Sequence, residues 1–271
     1  MTTLSQIGEL ALLRELERRG LIRDVENDAA AFGELVVTQD ALVENVHFRF
    51  DWIDWRELGF RAAAVNLSDL AASGADPLGL VVTLCAPPSA AVEDVVAFYE
   101  GIAEAGVPVV GGDTTAAPIV VLSVAALGRS ARVPGRSGAK PGDALVVTGP
   151  LGAAGAAFRE HRYVRPPLRL AEGRALARRA HALLDISDGI AVDAGHIASR
   201  SGVRCVIELD RVPLAPGATI DHLGFGEDFE LLAAVDKPGE FAVVGRVEEG
   251  SGVEVLLHGE PFALSGWEHY K

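Results

Sequence analysis

The run LGFRAAAVNLSDLAASGADPLGLVVTLCA, residues 58–86, changes character once, at Gly74. Its first part is alanine-rich and reads as a helix over 58–72. Its second part holds LVVTL at 80–84, a short apolar run of the length expected for a buried strand. A helix followed by a buried strand implies a mixed architecture. Working outward, residues 92–105 read as a helix and 107–110 and 119–126 as strands. Upstream, Leu4, Ile7, Leu10, Leu13 and Leu16 keep helical spacing over 4–20, and 35–38 is a β-prone run that stops at Gln39 and Asp40.

Residues 129–143 are rich in Gly, Pro, Arg and Lys and poor in apolar side chains, which marks a domain boundary. Two domains are expected, 1–135 and 136–271. The second repeats the mixture, with strands at 145–148, 203–209, 229–235, 241–247 and 253–257. Helices are expected near 151–160, 169–181 and 189–200. The fold class is therefore α/β or α+β.

The chain has 271 residues, 49% of them hydrophobic but only 6% aromatic, so its core must rest on Ala, Val and Leu. Its 38 acidic and 24 basic side chains give a formal charge of −14. Such a surface repels nucleic acid and anionic lipid, and no basic stripe reverses this. Cys85 and Cys205 lie far apart with no CxxC, as expected of buried small hydrophobes in a reducing compartment. The N-terminus mixes acids and bases and does not read as a secretory signal, and no apolar run is long enough to span a membrane. A cytoplasmic location is expected.

Acidic residues recur where apolar runs give way to Gly, Ser or Thr: Asp28, Asp40, Asp69, Asp113, Asp185 and Asp188. Carboxylates at strand ends can converge on one sheet edge, where hard divalent cations find the oxygen ligands they require. Taken singly, each can equally serve as a helix cap or turn former; Ser187 or Asp188 is placed to cap a helix starting near Gly189. The chain has no Walker-type loop, since Pro141 follows Lys140, and no GxGxxG, HExxH or GxSxG. Any nucleotide must then be held by metal bridging and isolated basic groups. Arg136 is the leading candidate, with a solvated linker charge as its alternative.

The motifs NLSDLAASGADP (66–77), VGGDTT (110–115), RSGAKPGD (136–143), VTGPLG (147–152), DISDG (185–189) and GEDFEL (226–231) occur in this order. Together with LVENVHF (42–48), the set resembles the thiamine-monophosphate kinases of the aminoimidazole ribonucleotide synthetase-like superfamily. The resemblance runs from about residue 7 to 267. It implies a two-domain fold whose N-terminal strands form a barrel across a homodimer interface. It also implies transfer of the ATP γ-phosphoryl group to thiamine monophosphate, assisted by several Mg2+ ions. On this resemblance Asp28, Thr38, Gln39, Asp40, Asp69, Asp113, Asp185 and Asp188 are metal ligands. Asp113, Asp40 and Asp69 would act in catalysis through metal, with no protein general base. Gly112, Asp113, Arg136, Ser187 and Tyr99 would face ATP, and His47, Glu227 and Trp267 the thiamine phosphate. Of the neighbours Glu227 and Asp228, one is expected only to bond a nearby turn.

The chain departs from the family pattern in places. Glu26 and Asn27 replace the Gly-Asp of GDDA, Gln39 replaces the middle residue of an STD-like triplet, and Phe225 and Phe229 alter the GGEDYEL-like run. The helix around Tyr99 is also shorter. Two other readings stand beside this one: a sibling ATP-using synthetase of the superfamily, against which RSGAKPGD and Trp267 speak, and a thiamine-phosphate or Mg-nucleotide sensor without turnover, which Glu26, Asn27 and Phe225 motivate.

Overall fold

The computed structural model describes residues 3–23 and 27–267, with Leu10 placed by its backbone only. The departure at Glu26 lies outside the described residues. Two open sheets carry the fold. The first has the order β1-β2-β5-β3-β4, made of Ala30–Phe32 (β1), Leu35–Val43 (β2), Asp76–Ala86 (β3), Val109–Ala116 (β4) and Val121–Arg129 (β5). All neighbours are antiparallel except β3 and β4. Along β5 every second residue is buried, the period of a sheet with one covered face.

That face is covered by Trp55–Ala72 (α3), against which Val92–Glu104 (α4) packs. The two helices approach unusually closely. A Cβ on Gly59 would lie 1.9 Å from the Phe98 carbonyl oxygen, and one on Gly101 equally close to that of Arg56. Fourteen of the eighteen residues of α3 are buried, Arg61, Asn66 and Ser68 among them. Alanine at Ala62, Ala63, Ala64, Ala71 and Ala72 lets the helix be enclosed without being forced away from its neighbours.

The expected barrel is overturned. The first sheet is open, with β1 and β4 at opposite edges and no ladder between them. All eight residues of β4 are exposed, so the edge that closure would have paired is uncovered.

The second sheet has the order β12-β11-β8-β10-β6-β9-β7. Its strands are Ala144–Val147 (β6), Ala182–Asp185 (β7), Arg204–Glu208 (β8), Leu231–Val235 (β9), Ala242–Glu248 (β10), Gly252–Leu257 (β11) and Glu260–Pro261 (β12). Ala153–Arg159 (α5), Leu170–Ala177 (α6) and Ile190–Ser201 (α7) accompany it. The C-terminal turn of α3 packs on α6, where a Cβ on Gly173 would stand 2.1 Å from the Ala71 carbonyl oxygen.

Several sequence expectations shift. The N-terminal helix divides into Leu4–Ile7 (α1) and Glu9–Arg18 (α2), because Gly8 adopts φ 75° between them. Strand β2 does not stop at Gln39 and Asp40 but carries both in mid-strand, and β4 likewise contains GGDTT. The four-residue strand β7 had no periodicity long enough to separate it from the preceding helix. Cys85 and Cys205 are free thiols, the latter buried, and burial pushes its thiol up to about 12.

Candidate active site

Helix α3 crosses beneath β2, and its polar residues gather the carboxylates. The Asn66 side-chain oxygen accepts the Asp40 backbone N–H at 3.1 Å, fixing strand to helix. One turn on, Thr38 donates its hydroxyl to Asp69, and Ser68 donates to Asp185 at the end of β7 at 2.6 Å. Asp28 enters from the segment before β1. Oxygens of Asp28, Asp69 and Asp185 lie within 4.8 Å of one another. The convergence is thus of a helix face, a strand interior and one strand end, not of strand ends alone.

Three carboxylates this close resist ionising together. Burial, then Asp28, pushes Asp185 up to about 8. Burial, again with Asp28, raises Asp40 to about 6. Asp69 is raised well above its ordinary value by burial and by Asp185, Asp40 and Asp28 in turn. Asp28 is also raised by burial, against the pull of Arg136, whose Nε donates to its Oδ1 at 2.9 Å. An all-oxygen set in which burial and mutual repulsion oppose ionisation fits hard divalent cations, which would relieve that repulsion.

The cluster lies at one end of a cavity of about 810 Å³. Arg136, Ser187, Asp188, His47, Glu227 and Trp267 also line it. Asp188 forms a second group with Asp193 and His196, again with potential ligand atoms within 4.8 Å. Burial and then Asp188 raise Asp193, while burial and Arg136 lower His196 to about 4. Neither Ser187 nor Asp188 caps α7; its N-cap is Gly189, and Asp193 instead accepts the Asp188 backbone N–H at 3.1 Å.

At the other end, Glu227 pairs with the buried Arg61, whose guanidinium sits 4.9 Å from the Tyr163 ring centroid. Tyr163 donates its hydroxyl to the His47 carbonyl at 3.0 Å, and the His47 ring accepts the Val43 N–H at 3.1 Å. Asp228 is the structural member of its pair. Its Oδ1 accepts the Gly152 N–H at 2.8 Å at the start of α5, and burial pushes it up to about 7.

Three expected residues lie elsewhere. Tyr99 packs on α4 beside Phe98, and Gly112 and Asp113 sit on the exposed edge strand β4, none of them lining the cavity. Asp113 is in register with Thr83, Ser123 and Ala41, a row on the open face, whereas Val82 and Val124 of Asp40's row are buried beneath α3. Three strand spacings, about 14 Å, separate it from β2. Gln39 also belongs to the open face and donates to Ser123 Oγ at 2.8 Å. Sequence reasoning missed Arg61, Tyr163, Asn66, Ser68, Asp193 and His196. A charged and two polar residues inside an alanine-rich buried helix were the available signal for the first, third and fourth.

Residues 26–130 match the family model described as AIR synthase related protein, N-terminal domain. The chain is 32% identical to the thiamine-monophosphate kinase of Aquifex aeolicus, with 98% of this chain and 99% of the relative covered. It is 33% identical to the thiamine-monophosphate kinase of Pyrococcus horikoshii, covering 88% and 86%. A solved structure described as AaThiL complexed with AMPPCP and TMP superposes with a TM-score of 0.90 at 30% identity, over 99% of each chain. With identity at this level along nearly its whole length, the chain belongs to the thiamine-monophosphate kinase family.

Proposed function

We propose that this chain transfers the γ-phosphoryl group of ATP to the phosphate of thiamine monophosphate, giving thiamine diphosphate and ADP. The observation that carries this reading is one cavity with a carboxylate cluster at one end and His47, Glu227 and Trp267 along its lining. In the transfer, a phosphate oxygen of the acceptor bonds to the γ-phosphorus as the bond to the β-γ bridging oxygen breaks. The acceptor phosphate has a second pKa of about 6, so it is already ionised near neutrality and needs no protein base. What remains is alignment and charge neutralisation.

Asp28, Asp40, Asp69 and Asp185 are the residues to hold Mg2+, with Thr38 and Asp188 at the margins; the Gln39 side chain, bonded to Ser123 on the open face, is turned away from them. When bound, the ions would offset the charge of two polyanions entering a chain that is itself strongly acidic. Arg136, now bound to Asp28, is positioned to turn its fork to phosphate oxygens. Ser187 lines the same cavity. Trp267 offers an indole face to a cationic ring, and His47 and Glu227 line the same pocket.

The reading includes a homodimer. Asp113 faces away from its own chain's cluster and Gly112, beside it on the edge strand, lies outside the cavity, so a role for them toward nucleotide places them at the cavity of a second copy. Val109 and Val110 on β4 and Val92 and Val96 on α4 are exposed, the apolar surface such contact would cover. Division into domains at 1–135 and 136–271 completes the proposal, with the cavity lined from both.

Incubation of the pure protein with Mg2+, ATP and thiamine monophosphate, followed by chromatography, should yield thiamine diphosphate and ADP in equal amounts. ADP release driven by formylglycinamidine ribotide, and not by thiamine monophosphate, would replace this reading with a sibling synthetase. Calorimetric binding of thiamine monophosphate without product would replace it with a sensor.

A further inference from the structure

We propose that Arg61 is the positioning residue that selects the acceptor, by holding Glu227 in one orientation at the ring end of the cavity. This deepens the thiamine-phosphate reading and rests on it. Helix α3 serves as a ruler. Arg61, Val65 and Asp69, at i, i+4 and i+8, all line the cavity. Eight residues of helix put Arg61 about 12 Å from Asp69 along the axis. An acceptor whose phosphate lies at the carboxylates therefore extends its rings toward Arg61.

The Arg61 side chain is 4% exposed, and a buried guanidinium requires a counter-charge. Glu227 supplies it. Glu227 is held from its backbone as well: its N–H donates to the Ser187 carbonyl at 2.8 Å, and its φ is 57°, left-handed and unusual for a residue with a side chain. The preceding Gly226 is pressed against the same loop, where a Cβ would stand 2.2 Å from Ser187 O. With its backbone fixed by one segment and its carboxylate by another, Glu227 keeps its second oxygen for a ligand. Tyr163 closes the arrangement over the guanidinium. Among the described residues the buried Arg61 Nε meets no hydrogen-bond partner, so the guanidinium is not saturated by them.

The chemistry that suits this arrangement is an amino-bearing heteroaromatic ring joined to a cationic one. Pairing with Arg61 removes the net charge of Glu227, leaving a directional acceptor that distinguishes an amino group from a carbonyl at the same ring position. Thiamine monophosphate carries the amino group; oxythiamine monophosphate carries the carbonyl.

The test compares wild type, Arg61→Met, Arg61→Lys and Glu227→Gln, each first confirmed folded by circular dichroism. KM and kcat are measured for both acceptors and for ATP, and acceptor binding is measured by calorimetry. Wild type should prefer thiamine monophosphate. Losing a charge-assisted orientation should raise KM for that acceptor in Arg61→Met by about tenfold or more and erase most of the preference, with kcat and KM for ATP within about threefold of wild type. Glu227→Gln should lose the same preference, and Arg61→Met with Glu227→Gln should be no worse than the poorer single variant. Arg61→Lys, keeping the charge without the fork, should recover part of it. A folded Arg61→Met that keeps the preference, or additive effects in the double variant, overturns the inference. If wild type binds thiamine monophosphate but forms no product, the kinase reading fails, and the calorimetric preference still decides the role of Arg61.

Discussion

Asp185 shows how much a single side chain here depends on its neighbours. It stands on a buried strand, accepts from Ser68, and shares its surroundings with Asp28 and Asp69. Burial and Asp28 lift it to about 8, so below that pH protons compete with any cation for the cluster. Asp185→Asn removes one charged ligand and part of the repulsion together. The fold should survive, thermal stability without metal should hold or rise, and kcat/KM should fall by about a hundredfold or more. Thermal melts with and without Mg2+, beside turnover assays, check both halves of that expectation; near-normal turnover would remove Asp185 from the ligand set. Arg136→Ala should raise KM for ATP by about tenfold while leaving KM for the acceptor within about twofold. An unchanged ATP dependence would return Arg136 to a structural pairing with Asp28.

Among the elements, α5 shows how a loop at the site is stabilised. It is a seven-residue helix starting after Gly152, and its first N–H groups point to Asp228, the buried residue beside Glu227. Asp228→Ala would leave those donors without that acceptor, at a cost of about 1–2 kcal/mol and a few degrees of melting temperature. The pH dependence has a definite sign. Burial raises Asp228 from 3.8 to about 7, so between those values the folded chain keeps a proton that the unfolded chain has lost. Stability must then fall as pH rises from about 4 to about 7 and be unaffected by this group above that range. Asp228→Asn, which retains an acceptor oxygen but cannot ionise, should melt with a shallower slope across that window. An unchanged slope would show that Asp228 is not buried as described.

For the whole molecule, the informative residue is Asp113, which lies apart from the carboxylate cluster of its own chain. Asp113 lies on the open face of the first sheet, and Asp69 lies on α3, lining the cavity. If two copies share residues, a hybrid of Asp113→Asn and Asp69→Asn subunits contains one site with both defects and one with neither. Each variant alone should be nearly inactive. Mixing them after dissociation should restore roughly a quarter of wild-type turnover, from half the dimers with one intact site each. No recovery in a mixture shown to contain hybrids would mean that each chain supplies its own Asp113.

Much of this was written in local chemistry. The alanine-rich helix of 58–72, the following strand and the acidic motifs were legible because side-chain volume, periodicity and spacing act over a few residues. The order of the motifs was enough to place the chain in its family. What spacing could not convey was which of six aspartates meet. Asp69 and Asp185 are 116 positions apart and adjacent in space, while Asp113 carries the same kind of signal on the opposite face of a sheet. Nor could it mark Arg61, whose partner lies 166 residues away. Openness of the first sheet, the pairing of Glu227 and the division of labour between Glu227 and Asp228 were settled only by packing. Register, burial and the approach of distant backbone are properties of the assembled chain, and no short stretch of it contains them.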